Sequence, residues 1–240
     1  MQETGVNFTA AKPAHDALSK LKQTAFVKEQ KMTLHIGDTA PNFSADTSSG
    51  HINFHDWAKG NWVFFFSHPA DFTPVCTTEM GRTAQLAEQF AARNTKPLGL
   101  STDTAEEHLK WIADVNDTQH TNLHFPIVAD PDLEISKKFD MIHPEESDTQ
   151  AVRSVFIIDP ELKIRLTMTY PMNVGRNFDE ILRVIDALQT GDRCKIATPA
   201  DWKAGDKVII PPSITNEEAK NIFPQGWEEL RPYLRLTEVK

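Results

Sequence analysis

Thirteen residues hold the types and spacing that could do chemistry: Ser67-His68-Pro69-Ala70-Asp71-Phe72-Thr73-Pro74-Val75-Cys76-Thr77-Thr78-Glu79. An apolar run, Trp62-Val63-Phe64-Phe65-Phe66, leads in, and a helical pattern beginning near Cys76 leads out. The stretch reads as strand, loop, then a cysteine in the first turn of a helix. Unpaired N–H groups and the positive end of the helix dipole at such a terminus stabilise a thiolate, the nucleophilic form of cysteine. A lone cysteine more often packs as a small, inert hydrophobe. Thr73, Thr77, Thr78 and Glu79 do not make an apolar burial site, so Cys76 is read as a reactive thiol. A Cys-x-x-Cys pair is absent, and dithiol exchange does not follow.

The flanking elements must hold that cysteine in place. Trp62 to Ser67 has no polar alternation, as expected of a strand covered on both faces. Met80, Ala84, Leu86, Ala87, Phe90 and Ala91 predict one helix from Thr77 to Arg93. Pro97 to Ser101 reads as a second buried strand. A helix from Ala105 to Val115 should follow, with Leu109, Ile112 and Ala113 inward. His51 to Phe54 and Phe125 to Ala129 read as short strands, and Leu133 to Phe139 as a short helix. Val152 to Ile158 and Leu162 to Tyr170 predict a hairpin, and Asn177 to Leu188 an amphipathic helix. Strands alternating with helices imply an α/β fold, and the late hairpin makes its sheet mixed. A reactive cysteine opening the helix after a strand and loop is the thioredoxin-like arrangement.

Composition narrows the class. Of 240 residues, 40% are hydrophobic and 25% charged, the balance of a soluble globular chain. The net charge of −9, with no basic cluster, disfavours nucleic acid and anionic membranes as partners. Two cysteines suggest a reducing compartment, and no run approaches the roughly 20 apolar residues of a membrane span. Three regions are expected. Residues 1–31 form a polar, mobile extension with a helical pattern over 14–31 and the features of neither a signal nor a transit peptide. Residues 32–190 form the main domain. Residues 191–240 form a C-terminal arm or small domain, in which Trp227, Leu230, Tyr233 and Leu236 lack enough chain to bury themselves. Such an arm packs on the main domain or on a partner subunit, and the partner subunit is the favoured expectation.

The segment His68 to Glu79 resembles the active-site signature of the peroxiredoxins, in particular the one-cysteine, peroxiredoxin-6-like subfamily. The likeness extends through Val152-Arg153-Ser154-Val155-Phe156, Gly175-Arg176-Asn177-Phe178-Asp179-Glu180 and Ala197-Thr198-Pro199-Ala200-Asp201-Trp202. It implies a thioredoxin-like fold, a mixed central sheet flanked by helices, and a C-terminal dimerisation arm. It implies a thiol-dependent peroxidase that reduces hydrogen peroxide and organic hydroperoxides through a cysteine sulfenic acid, with no cofactor and no metal. Cys76 would be the peroxidatic nucleophile. Thr73 would hydrogen-bond peroxide and cysteine, Pro69 would shield the pocket, and Arg153 would reach back to stabilise the thiolate. From position alone Arg153 would be a solvated charge beside a strand. His68 could tune the pocket. Glu79 either orients Arg153 or favours the helix start, where an acid is expected anyway.

In two-cysteine peroxiredoxins the resolving cysteine occupies the position of Thr198. A one-cysteine mechanism is therefore expected, with an external thiol (glutathione, a thioredoxin-like protein or another) as reductant. The alternatives are a two-cysteine peroxidase that resolves through Cys194, otherwise a bystander thiol, and a holdase-type chaperone or binding role of the oligomer. Some relatives carry a lipase-like serine at the position of Asn61, so phospholipase activity is not expected there. The expected assembly is a homodimer, with a ring of dimers as the larger option. The expected location is the cytoplasm, an organelle being left open by the N-terminal extension.

Overall fold

The computed structural model describes Met1 and residues 33–239. The helix expected over 14–31 lies outside the described residues. One compact unit spans Leu34–Lys240. Its main sheet has seven strands: β1 (Ser44–Thr47), β2 (Gly50–Asn53), β3 (Trp62–Ser67), β4 (Thr95–Ser101), β5 (Ile127–Ala129), β6 (Arg153–Ile158) and β7 (Ile164–Tyr170). Their order is β2-β1-β5-β4-β3-β6-β7. The pairs β3–β4 and β4–β5 are parallel, while β3–β6, β6–β7, β1–β5 and β1–β2 are antiparallel. The sheet is therefore mixed, as the late hairpin predicts.

Helices cover both faces, and β3 explains why its sequence does not alternate. Phe64 and Phe66 point into one core with Cys76, Met80, Phe90, Trp111 and Phe178. Val63 and Phe65 point into the other with Phe43, Phe54, Leu100 and Phe139. The first core is supplied by α2 (Pro74–Gln85), α3 (Ala87–Ala92), α4 (Ala105–Thr118) and α6 (Phe178–Cys194). The second takes residues from α1 (Phe54–Ala58) and α5 (Glu134–Lys138). With both faces dry, β3 is fixed in position, and the loop that leaves its C-terminal end starts from a rigid point.

Several elements differ from expectation. The helix expected over Thr77–Arg93 starts earlier, at Pro74, and is broken at Leu86 into α2 and α3. Proline suits the first helical position, where its missing N–H is not needed. Phe54 opens α1 and does not end a strand, because Asn53 caps that helix by accepting from Asp56 N. In α4 the inward face is His108, Trp111 and Val115, while Leu109 is 56% exposed and Ala113 is exposed. Spacing alone chose the apolar residues. The structure buries a histidine in their place because both its ring nitrogens find partners. Helix α6 runs on to Cys194, past its apolar stripe, and ends at Lys195 in the left-handed conformation (φ 55°).

After α6 the chain builds a second sheet of β8 (Val208–Ile210), β10 (Leu234–Thr237) and β9 (Glu228–Arg231), in that order, plus α7 (Asn216–Ile222). A small core of Ile196, Trp202, Val208, Ile210, Ala219 and Phe223 sits beneath it, and Trp227 packs against this core. This segment thus buries more of itself than its length suggested. Leu230 and Tyr233 stay exposed.

The reassigned face of α4 has a direct consequence for stability. Trp111→Ala should cost about 3–5 kcal/mol, whereas Leu109→Ala should change stability by no more than about 0.5 kcal/mol. Urea unfolding of the two variants checks this, and a larger loss for Leu109→Ala would restore the sequence-based face.

Candidate active site

The site begins where β3 ends. Ser67 Oγ donates to Val152 O at 2.6 Å and accepts from Ser154 N at 3.1 Å. This fastens the exit of β3 to the entry of β6 and places Arg153 beside the loop. The chain then turns through Phe72, a non-glycine residue with φ 54°, and enters α2. Thr73 is the N-cap, Pro74 the first helical residue and Cys76 the third, and no side chain caps the helix. The first-turn N–H groups beside Cys76 thus have no side-chain cap.

Cys76 is fully buried, and Arg153 is 2% exposed. Arg153 Nη1 donates to Cys76 Sγ at 3.3 Å and to Glu79 Oε2 at 2.8 Å. Its Nε and Nη2 donate to Met172 O at 2.9 and 2.7 Å, which fixes the plane of the guanidinium. Glu79, one turn along α2 from Cys76, also accepts from Arg176. Its Oε1 takes Arg176 N at 2.8 Å and Nε at 3.0 Å, and its Oε2 takes Nη2 at 2.5 Å. Arg176 Nη1 donates to Ser67 O at 2.8 Å and to Ser154 O at 3.2 Å, and its guanidinium lies 4.8 Å from the centre of the Phe66 ring.

Burial alone would raise the Glu79 carboxyl, but the attraction and hydrogen bonds of Arg176, with Arg153, outweigh it and hold it below the ordinary range. Burial pulls the Arg176 guanidinium below its usual value, opposed by Glu79. Arginine still stays charged in proteins. Two guanidinium groups and one carboxylate leave one positive charge in a dry site, with Cys76 Sγ within reach of it. A sulfur anion balances that charge, and so does negative charge developing on an oxygen next to the sulfur.

The other expected residues take distinct places. Thr73 Oγ1 donates to Ala70 O at 2.9 Å and so braces the loop, with no bond to the sulfur. Pro69 is buried within that loop. His68 is buried apart from the arginine network. Its Nε2 lies 2.9 Å from Asp71 Oδ1, within hydrogen-bond distance, and its ring lies 5.1 Å from that of Trp111. Cys194 is a free thiol at the end of α6, lining a cavity of about 700 Å³ with Phe223 and Val239. It packs against the small C-terminal core, whereas Cys76 belongs to the core of the main sheet. Asn61 donates to Lys59 O within a turn.

Sequence reasoning missed Arg176. It sat in a quoted block with no role assigned, and nothing in its neighbours marks it as buried. It also missed Asp71 and His108, which join His68 in one hydrogen-bonded cluster. Among the described residues, His68, Asp71 and Asp103 bring metal-ligand-type atoms within 4.8 Å of one another. Those atoms are already used: Asp103 Oδ2 accepts from Asp71 N and Ser101 Oγ, and Asp71 is hydrogen-bonded to both histidines. The cluster is read as a proton-bonded network.

Comparison with known proteins places the chain in a family. Residues 36–167 match the model of the AhpC/TSA family, and residues 187–226 match that of the C-terminal domain of 1-Cys peroxiredoxin. A 1-Cys peroxiredoxin of Dictyostelium discoideum is 47% identical over 204 residues, covering 85% of each chain. Peroxiredoxin-6 of Gallus gallus is 50% identical over 201 residues, covering 80% of this chain and 90% of its own. A solved structure of the yeast mitochondrial 1-Cys peroxiredoxin, which concerns its thiol resolving mechanism via glutathione and thioredoxin systems, superposes with a TM-score of 0.82. It is 48% identical and covers 86% of this chain and 100% of its own.

Because the Glu79 carboxyl is held down in the folded state, its contribution to stability is fully present above its ordinary value of 4.5 and is lost as the pH falls through the lower folded value. Glu79→Gln should cost about 3–5 kcal/mol at neutral pH, since it leaves two buried cations without their partner. That gap should narrow on acidification. Urea unfolding over a pH series measures it, and a gap that stays constant into acid would contradict the pairing.

Proposed function

The chain belongs to the AhpC/TSA family, in its one-cysteine peroxiredoxin branch, and is a thiol-dependent peroxidase; on that footing we propose that Cys76 is its peroxidatic nucleophile and Arg153 its main transition-state donor. The observation that carries this reading is the 3.3 Å approach of Arg153 Nη1 to Cys76 Sγ, inside a network with one uncompensated positive charge.

The chemistry follows from those positions. The Cys76 thiolate attacks one peroxide oxygen in line with the O–O bond. A sulfur–oxygen bond forms, the O–O bond breaks, and hydroxide or alkoxide leaves and takes up a proton. Charge moves from sulfur to the departing oxygen, so donors fixed beside both atoms favour the transition state over the ground state. Arg153 offers one such donor in a rigid fork, and the uncapped N–H groups of α2 offer others. Thr73 and Pro69 hold the loop that carries the cysteine, and Glu79 and Arg176 hold Arg153 in register. The product is Cys76 sulfenic acid.

A thiol from outside then attacks the sulfenic sulfur and releases water. A second thiol displaces Cys76 from the mixed disulfide and restores the thiolate. Thr198 at the usual resolving position, and the packing of Cys194 against a different core, support external resolution. Glutathione and thioredoxin-like thiols are the reductants we favour, by analogy with the yeast relative. We further read the exposed Leu230 and Tyr233, on a segment whose strand β9 lies at the edge of its sheet among the described residues, as contacts with a second copy. Among the described residues no helix is long and apolar enough to cross a membrane. A reducing compartment, cytoplasmic or mitochondrial as in the yeast relative, suits the free thiols.

Cys76→Ser should abolish hydrogen peroxide consumption supported by dithiothreitol, and Cys194→Ser should leave it unchanged. Turnover retained in Cys76→Ser would overturn the assignment. A Cys76–Cys194 disulfide on non-reducing electrophoresis after stoichiometric peroxide would replace external resolution with a two-cysteine cycle.

A further inference from the structure

A second buried polar network lies in the peroxidatic loop, and its proton count is informative. Asp71 is 7% exposed, while His68 and His108 are fully buried. His108 Nε2 lies 3.2 Å from Val128 O, and a carbonyl oxygen can only accept. His108 Nδ1 lies 2.6 Å from Asp71 Oδ2. A neutral imidazole has one N–H, yet His108 faces an acceptor on each side. His68 Nε2 lies 2.9 Å from Asp71 Oδ1, and His68 Nδ1 is buried with no partner among the described residues.

We propose that His108 is a positioning residue: it carries protons on both ring nitrogens, holds Asp71 as a carboxylate, and so compels His68 to donate from Nε2 and keep a bare Nδ1 lone pair inside the loop. The account balances. One imidazolium and one carboxylate sum to zero, and His68 stays neutral. Burial opposes the Asp71 carboxylate, but the hydrogen bonds from His108 and His68 outweigh it, and Asp71 lies below the ordinary range. Burial also pushes His68 down, against the pull of Asp71. The remaining charged groups facing the cluster are Asp103, which accepts from Asp71 N, and Glu107 on the same helix as His108.

The network reaches the reacting residue through packing. The His68 ring lies against Trp111, and Trp111 Nε1 donates to Thr77 Oγ1, next to Cys76. The loop thus holds a hydrogen-bond acceptor of fixed tautomer, whereas Arg153 and the start of α2 supply donors. Its consequence for rate rests on the peroxidase reading above, but the protonation pattern does not.

The test is a proton–nitrogen correlation spectrum of the full chain labelled with ¹⁵N-histidine, at neutral pH. His108 should have both ring nitrogens protonated, and His68 a protonated Nε2 and a bare Nδ1. In His108→Leu, Asp71 loses the N–H donor that holds its Oδ2 ionised, takes a proton and donates it to His68 Nε2, so the His68 ring proton should move to Nδ1. His108→Asn offers Asp71 a neutral N–H and should restore the wild-type pattern at His68. Peroxide oxidation of Cys76 should slow in His108→Leu and recover in His108→Asn. A neutral His108, or a wild-type His68 protonated at Nδ1, would overturn the proposal. So would an unchanged His68 in a folded His108→Leu, or an unchanged oxidation rate there. If His108→Leu fails to fold, the wild-type spectrum decides alone. Absence of any peroxidase activity, with the histidine pattern as expected, would count against the proposed function and not against the network.

Discussion

One carboxylate, Glu79, stands between two buried guanidinium groups and organises the site. Removing three charges from water is costly, and only close, saturated hydrogen bonding offsets that cost. Both Glu79 oxygens accept from arginine, Arg153 Nη1 also donates to Cys76 Sγ, and other donors of the two arginines go to the backbone oxygens of Met172, Ser67 and Ser154. Those carbonyls belong to the end of β3, the start of β6 and the segment before α6. The network therefore ties together the elements that meet at the cysteine. What remains is a single positive charge, and it faces the sulfur.

The fold exists to make that arrangement rigid. β3 is packed on both faces by phenylalanines, so its exit point does not shift. Its antiparallel pairing with β6 brings Arg153, 77 residues further along the chain, next to Cys76. Cys76 and Glu79 lie on one face of α2, and that face packs into the same core as Phe66 and Phe178. Donors held this way need no reorganisation when charge moves from sulfur to oxygen, which is where preorganised sites gain most of their rate.

Sequence and structure part at instructive places. The strand Trp62–Ser67 and the placing of Cys76 in the first turn of a helix were legible because an unbroken apolar run and a polar helix start each have one ready explanation. Arg153 was legible only through resemblance, since an arginine flanking a strand is ordinarily solvated. Arg176, Asp71 and His108 were not legible. Their burial depends on partners far along the chain, and hydropathy patterns count a buried, fully bonded polar group as exposed. The face of α4 failed for that reason: Leu109 looks like core and His108 does not, yet hydrogen bonds to Asp71 and Val128 reverse the order. The break at Leu86 was hidden as well, because the apolar spacing runs on across it.

The central claim is that the charge left over from the Arg153–Glu79–Arg176 network acts on the peroxide transition state and does more than activate the sulfur in general. The most direct test compares two reactions of Cys76, oxidation by hydrogen peroxide and alkylation by iodoacetamide, in the wild type and in Arg153→Met. Peroxide oxidation should fall about 10²–10³-fold, the usual cost of one lost transition-state donor, with alkylation falling far less. Equal losses in both reactions, or an unchanged peroxide rate, would contradict it.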